Sequence, residues 1–400
     1  MDPREAIRKE LEEHVRKTLQ AQALYTTLAE KTEKKENKFL FIGRAGGDFS
    51  GNVKYLYLHF VKNHPEIDSA FLTQQKEVYR TLREAGLPVI LTPSTQDPEV
   101  AEAGTVIVDA VSFRRHLYYP MVENARQVQL WHGVGNKKIG FLLEGISCLE
   151  GKDETLIEDH SNYDVIVSTS PFYTEEVFKK SLHAKEFVSL GYPRTDALFN
   201  KLDKHTLIGC DPIAYSKVRQ ASKKGPVILF SPTFRDNGVN PLTQGVLDYN
   251  ELFAFLKRTN AHLLVKAHTR TPLQFGTLPD NVTICESTSD IYPFLPLIDV
   301  MITDYSSIYT EYLLLDRPVL FFWKDFAEYM SHDRGFQFPF EEMCPGPKCR
   351  TAEQLFEALA AALEGEDEWK DARRAMRDKA FLHTEGGACE RIAELLLKKP

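Results

Sequence analysis

Short apolar runs recur along this chain in two series, and they restrict its fold more than any other feature. The first series contains Phe39–Gly43, Tyr55–Phe60, Ala70–Thr73, Pro88–Leu91, Thr105–Val108, Val128–Leu130, Tyr163–Ser168 and Glu186–Gly191. The second contains Pro226–Ser231, Ala261–Ala267, Val282–Cys285, Leu297–Thr303 and Pro318–Trp323. Runs without polar alternation suit strands buried on both faces, as in parallel sheets. Helical stretches such as Gln75–Ala85 lie between some of them, which is the alternation of a doubly wound α/β domain. The stretch 200–225 is polar and suits a linker. The 400 residues fit two domains at about 150 residues each. The expected architecture is two α/β halves facing a cleft.

The ends are different. Residues 4–35 predict a charged helix with Ile7, Leu11, Val15 and Leu19 at every fourth position, a stripe that docks on the body of the protein or on a second copy. Glutamates interrupt its basic residues, so membrane contact through it should be weak. Residues 388–399 predict an amphipathic helix. The expected divisions are an N-terminal helix at 1–35, α/β domains at 36–205 and 206–385, and a C-terminal helix at 386–400.

Charge excludes one class of partner. The chain has 49 basic and 57 acidic residues, a net charge of -8, where a nucleic-acid coat protein would show a basic excess. The N-terminus lacks a signal-peptide apolar core, and no window approaches the roughly 18 apolar residues of a membrane span. The expectation is a cytoplasmic protein, soluble or at most peripheral at the inner face of the membrane. The 6 cysteines have no metal-finger spacing and read as free thiols.

Two histidines each close an apolar run in a different half: His132 after Val128-Gln129-Leu130-Trp131, and His268 after His262-Leu263-Leu264-Val265-Lys266-Ala267. Ligands of open α/β sheets bind at the C-terminal ends of strands, so two facing halves would bring one imidazole to each wall of a cleft. A hydrogen-bonded core histidine explains either one alone; the matched pair argues for a site. In Thr303-Asp304-Tyr305-Ser306-Ser307 a strand ends and a helix begins near Ser306 or Ser307, where free N–H groups favour phosphate. Asp304 would repel an anion and is better suited to hold a ribose, orient a cation or set a histidine tautomer. Thr233 and Arg235 follow the Val227–Phe230 run, and Arg235 can contact phosphate bidentately. Lys137 and Lys138 follow His132-Gly133 and can guide an anionic acceptor; Arg334 adds another cation. Gly43-Arg44-Ala45-Gly46-Gly47-Asp48 lacks dinucleotide spacing, and neither a P-loop nor a nucleophile elbow is present.

Leu130-Trp131-His132-Gly133, Gly191-Tyr192-Pro193-Arg194-Thr195-Asp196, Ser231-Pro232-Thr233-Phe234-Arg235-Asp236, Lys266-Ala267-His268 and Thr303-Asp304-Tyr305-Ser306-Ser307 occur in that order, followed by Arg334-Gly335-Phe336 and Pro345-Gly346-Pro347. This set resembles the CDP-glycerol glycerophosphotransferases of teichoic acid and capsule polymer synthesis, over about residues 125 to 395. The resemblance implies two Rossmann-like domains of the GT-B type, an acceptor half first and a half for the CDP-linked donor second. It places His132 and His268 on the family's essential histidine positions, and Asp304, Ser306 and Ser307 on its donor-binding motif. Thr233, Arg235 and Lys266 join the donor set; Gly133, Lys137, Lys138 and Arg334 are candidate acceptor or phosphate contacts. Thr269 departs from the proline often found after the second histidine.

The implied reaction is attack of an acceptor hydroxyl on the β-phosphorus of CDP-glycerol, with CMP leaving. Positioning and charge stabilisation dominate such loose transition states. His132 is the candidate base, worth about 10²–10⁴-fold. The CMP phosphate, with a second pKa of about 6, needs little acid help, which leaves His268 to bind and neutralise the pyrophosphate. No cofactor is required, although a diphosphate donor can bring Mg²⁺. Expected partners are CDP-glycerol or another CDP-polyol and a lipid-linked or capsular saccharide, with no nucleic acid. The alternatives are a GT-B glycosyltransferase with a nucleotide-sugar donor and a non-catalytic nucleotide-binding scaffold.

Overall fold

In a computed structural model of the chain, residues 3–143, 153–233, 247–266, 278–323, 326 and 336–398 are described. They form two parallel sheets. The strands of the first are β1 (Lys35–Ile42), β2 (Asp68–Thr73), β3 (Val89–Leu91), β4 (Ala103–Val108), β5 (Arg126–Gln129), β6 (Tyr163–Ser168) and β7 (Ala184–Ser189). Their order across the sheet is β3-β2-β1-β4-β5-β6-β7. The second sheet has β8 (Val227–Ser231), β9 (His262–Lys266), β10 (Val282–Cys285), β11 (Val300–Thr303), β12 (Val319–Phe322) and β13 (Lys348–Cys349), in the order β10-β9-β8-β11-β12-β13. Each order reverses once, between β1 and β4 and between β8 and β11. These switch points open crevices at the strand C-termini. β4, β8, β11 and β12 are almost wholly buried, which is why their sequences carry no polar alternation.

The longer helices are α1 (Pro3–Lys31), α2 (Gly51–Asn63), α3 (Lys76–Glu84), α4 (Pro212–Ala221), α5 (Tyr249–Arg258), α6 (Ala352–Glu364), α7 (Lys370–Ala380) and α8 (Ala388–Leu397). Three depart from the sequence reading. The Tyr55–Phe60 run lies inside α2, a helix buried over nearly its whole surface. A helix without a solvent face has no polar stripe, so its apolar run looks like a strand. The polar stretch 200–225 contains α4, whose N-terminus is capped by the Asp211 carboxylate accepting from the Ile213 and Ala214 amides. In α1 only the C-terminal third packs, through Ala21, Tyr25 and Leu28, while Leu11, Val15 and Leu19 are exposed. The stripe therefore does not dock on the described body.

The C-terminal helix returns to the first half. Asp196 accepts from the amides of Gly387, Ala388 and Cys389 at the start of α8, and α8 packs on α2. A carboxylate at a helix N-terminus satisfies orphan amides and meets the positive end of the dipole. The described cysteines are free thiols. Among the described residues, no helix is long and apolar enough to cross a membrane.

Candidate active site

β5 ends at Gln129, and the next residues turn sharply into the space between the halves. Trp131 is left-handed, with φ 55. A bulky residue tolerates this only where its surroundings over-determine it. Here the Trp131 amide donates to Gln129 Oε1 at 2.9 Å, and its carbonyl accepts from Asn52 Nδ2 at 2.8 Å. The turn stacks the His132 ring on Trp131, with centroids 4.5 Å apart.

His132 Nδ1 lies 2.9 Å from the backbone carbonyl of Asp109, the residue after β4. A carbonyl only accepts, so Nδ1 carries the proton and Nε2 presents its lone pair. Burial lowers the imidazole pKa to about 4; the Asp109 carbonyl opposes this, and the Arg44 and Arg194 cations add to it. At neutral pH the ring is an uncharged base.

His132, Gly133, Lys137 and Lys138 share a cavity of about 320 Å³ with Thr233, Ser306 and Ser307 of the second half. Aromatic rings, including Trp131, Tyr173, Phe336 and Phe340, form much of its wall. The Lys137 loop is stitched to the opposite half: Asn136 Oδ1 accepts from the Phe338 amide at 3.0 Å, and the Asn136 carbonyl accepts from Gln337 at 2.7 Å. Gly133, with φ +154, lies where the halves meet. A Cβ there would sit 3.3 Å from Arg194 Nη2 and 3.6 Å from Ser307 Oγ. Gly133→Ala is therefore expected to destabilise the fold by about 1–3 kcal/mol, read as a lower urea midpoint, with activity falling in the surviving fraction.

The second wall differs in detail from the sequence reading. The helix after Ser307 is only 5 residues long, Ile308–Tyr312, and Ser307 forms no side-chain cap bond to it. So short a helix carries little dipole; hydroxyls and amides are what this turn offers an anion. Asp304 is 1% exposed and fastens strand ends together. Its Oδ1 accepts from the Thr233 amide and hydroxyl, each at 2.7 Å, and from the Tyr305 amide at 2.5 Å. It is the Asp109 carbonyl that sets the His132 tautomer. Lys266 lies apart from the His132 cavity, on a second one of about 760 Å³ lined also by Arg44 and Arg194. Its ammonium donates to the carbonyls of Ser287, at 3.1 Å, and Ser289. His268, Arg235 and Arg334 lie outside the described residues. Among the described residues, no group of three or more His, Cys, Asp or Glu side chains converges to hold a metal ion.

Sequence reasoning assigned no role to the charges joining the halves. Arg194 donates to Glu311 from Nη2 at 2.6 Å and from Nε at 3.1 Å, stacks 4.7 Å over the Tyr292 ring, and Tyr292 donates its hydroxyl to Glu311. Lys54 donates to Asp290 at 2.7 Å and to the carbonyls of Thr206 and Ile208. Arg194 stands within a motif already noted, Gly191–Asp196, and Glu311 lies just beyond another, Thr303–Ser307, but nothing local marks them as a pair.

A cleft between two Rossmann-like halves, with a neutral histidine on one wall and paired serines on the other, suits transfer between two bound substrates. Residues 23–398 match the family described as CDP-Glycerol:Poly(glycerophosphate) glycerophosphotransferase. The chain belongs to this family. Among its relatives, a teichoic acid poly(glycerol phosphate) polymerase of Bacillus subtilis (strain 168) is 26% identical over 343 residues, 83% of this chain and 45% of the relative. A teichoic acid poly(ribitol-phosphate) polymerase of Bacillus spizizenii is 28% identical over 346 residues, 81% of this chain and 51% of the relative. The chain thus spans about half the length of these curated relatives. A solved structure of a single-substitution variant of the wall teichoic acid polymerase TagF superposes with a TM-score of 0.76 at 20% identity, covering 98% of this chain and 96% of that one. A putative UDP-N-acetylglucosamine 2-epimerase from Listeria monocytogenes superposes at 0.52 and 15% identity, covering 90% and 95%. The fold is of the GT-B type.

Proposed function

We propose that this chain transfers glycerol phosphate, or another polyol phosphate, from a CDP-polyol to a hydroxyl of a cell-surface polymer or its lipid-linked precursor, releasing CMP. The observation that carries this is His132: a neutral imidazole with Nε2 available, facing Ser306 and Ser307 across the cleft, in a member of this family. The acceptor hydroxyl loses its proton to Nε2 as its oxygen attacks the β-phosphorus. The bond from that phosphorus to the bridging oxygen breaks, and CMP leaves with the electron pair. Thr233, Ser306 and Ser307 offer hydroxyls to the donor phosphates, and Asp304 holds the turn that presents them. Lys137 and Lys138 steer the anionic acceptor, and Arg334 joins these contacts. Arg235 and His268 neutralise the diphosphate. Lys266 shapes the loop after β10 within the donor half. A divalent ion would travel on the diphosphate of the donor itself. The acceptor side places the reaction at a membrane surface if that acceptor is lipid-linked.

Thermal unfolding with CDP-glycerol, CDP-ribitol, CDP and UDP-glucose in parallel tests the donor. A ligand at 100 times its Kd adds about 2.7 kcal/mol, a visible shift in midpoint. The expected result is a larger shift with a CDP-polyol than with CDP. A response to UDP-glucose alone would assign sugar transfer instead.

A further inference from the structure

Asp109 takes no part in the reaction as written, yet it is the residue that holds His132. It is 0% exposed, directly after β4 at the switch point of the first sheet. Its two carboxylate oxygens face the first turn of α2 without closing a hydrogen bond of good geometry. The space it occupies exists because residue 51 is glycine: with φ +66, a Cβ there would stand 2.5 Å from Asp109 Oδ2. A buried carboxylate without strong partners is costly to keep. Burial raises its pKa to about 6, against the opposing pull of Arg44 and Arg194 and the amides of Val53 and Asn52. Arg44 and Arg194 are the same two cations that weaken His132 as a base.

We propose that Asp109 is the positioning residue of the base: its carbonyl fixes the His132 tautomer, and its carboxylate, wedged under Gly51 at the start of α2, offsets the Arg44 and Arg194 charges that bear on the imidazole. This rests on the reading of His132 as the base. The groups acting on the pair are Arg44 after β1, Arg194 after β7 with its partner Glu311, and the α2 amides. The sign follows from the charges. An ionised Asp109 favours the imidazolium and so strengthens the base; protonating Asp109 as pH falls through about 6 weakens it. Activity should therefore decline on the acid side near the titration of Asp109, above that of His132 itself.

The test is the pH profile of kcat/KM for Asp109→Asn and Arg44→Gln, together with the His132 titration in the ligand-free proteins by imidazole ¹⁵N NMR. Asp109→Asn should remove the limb near pH 6, lower the plateau about tenfold and remove the inflection near pH 6 from the His132 ¹⁵N shift, while the titration of His132 itself, which proceeds with Asp109 already protonated, stays in place. Arg44→Gln, at an exposed residue, should move both the limb and the His132 pKa up. A folded Asp109→Asn protein with both readouts unmoved overturns the proposal. If that variant does not fold, Arg44→Gln decides by where the limb goes: a limb that moves up together with the pH 6 inflection of the His132 shift supports the proposal, and a limb that follows the titration of His132 itself overturns it. An NMR shift without any dependence of activity on His132 would instead overturn the base assignment and leave the Asp109 coupling standing.

Discussion

Replacing His132 by Gln is expected to lower kcat by about 10²–10⁴-fold, the usual worth of a positioned general base. The residue is neutral at working pH, because burial holds its pKa to about 4, and its Nδ1 is committed to the Asp109 carbonyl. Glutamine keeps a polar group of similar reach and accepts no proton. The groups that meet the donor, Thr233, Ser306 and Ser307, come from the other half, so KM for CDP-glycerol should change by less than about threefold. The pattern sought is a loss in kcat and kcat/KM together, which marks an interaction made in the transition state. Steady-state kinetics with a CDP-polyol and an acceptor primer would show it. A variant within tenfold of wild type would assign the proton to another group.

The second large effect concerns stability. Lys54→Met should destabilise the protein by about 3–5 kcal/mol, because it strands a buried carboxylate. Lys54 and Asp290 have side-chain exposures of 0% and 4%, and the ammonium also satisfies the Thr206 and Ile208 carbonyls. Burial alone would raise the Asp290 pKa; Lys54, with the Tyr55 hydroxyl and the Tyr292 amide, outweighs it and holds the group below its ordinary value. In the wild type this contribution is full above the unfolded carboxylate pKa and is lost as pH falls through the depressed folded value. In the variant burial is unopposed and the folded pKa rises, so the penalty is greatest at neutral pH and shrinks as Asp290 protonates. Urea unfolding at neutral and at mildly acidic pH reads both terms. The double variant Lys54→Met/Asp290→Leu should recover much of the loss, since it removes the stranded charge. A single variant that unfolds at the wild-type midpoint would mean that the pair contributes nothing net.

The strands were legible because burial on both faces leaves a run of apolar side chains. The same signal misread Tyr55–Phe60. α2 is enclosed by the first sheet and by α8, so its sequence is apolar in every direction and loses the 3.6-residue period by which a surface helix is recognised. Residues 200–225 looked like a linker because α4 presents a polar face, and its cap residue Asp211 was the available sign of a helix start. For the site, His132, Thr233, Ser306 and Ser307 were all named from local pattern, and the structure brings them to one cavity. Asp109 was not named, although an acid closing the apolar run Thr105–Val108 was visible. Its meaning depends on a contact 23 residues away.

Local chemistry along the chain determined the two series of strands, the strand ends that face a cleft and the residue types available there. Those follow from side-chain polarity and spacing, which neighbours in sequence share. Tertiary structure alone decided which atoms meet. The partners Arg194 and Glu311 are 117 residues apart, and Lys54 and Asp290 are 236 apart, so each pair exists only once the halves pack. The His132 tautomer belongs to the same class: one carbonyl from the neighbouring strand selects which nitrogen keeps the proton, and no feature of Leu130-Trp131-His132-Gly133 by itself could make that choice.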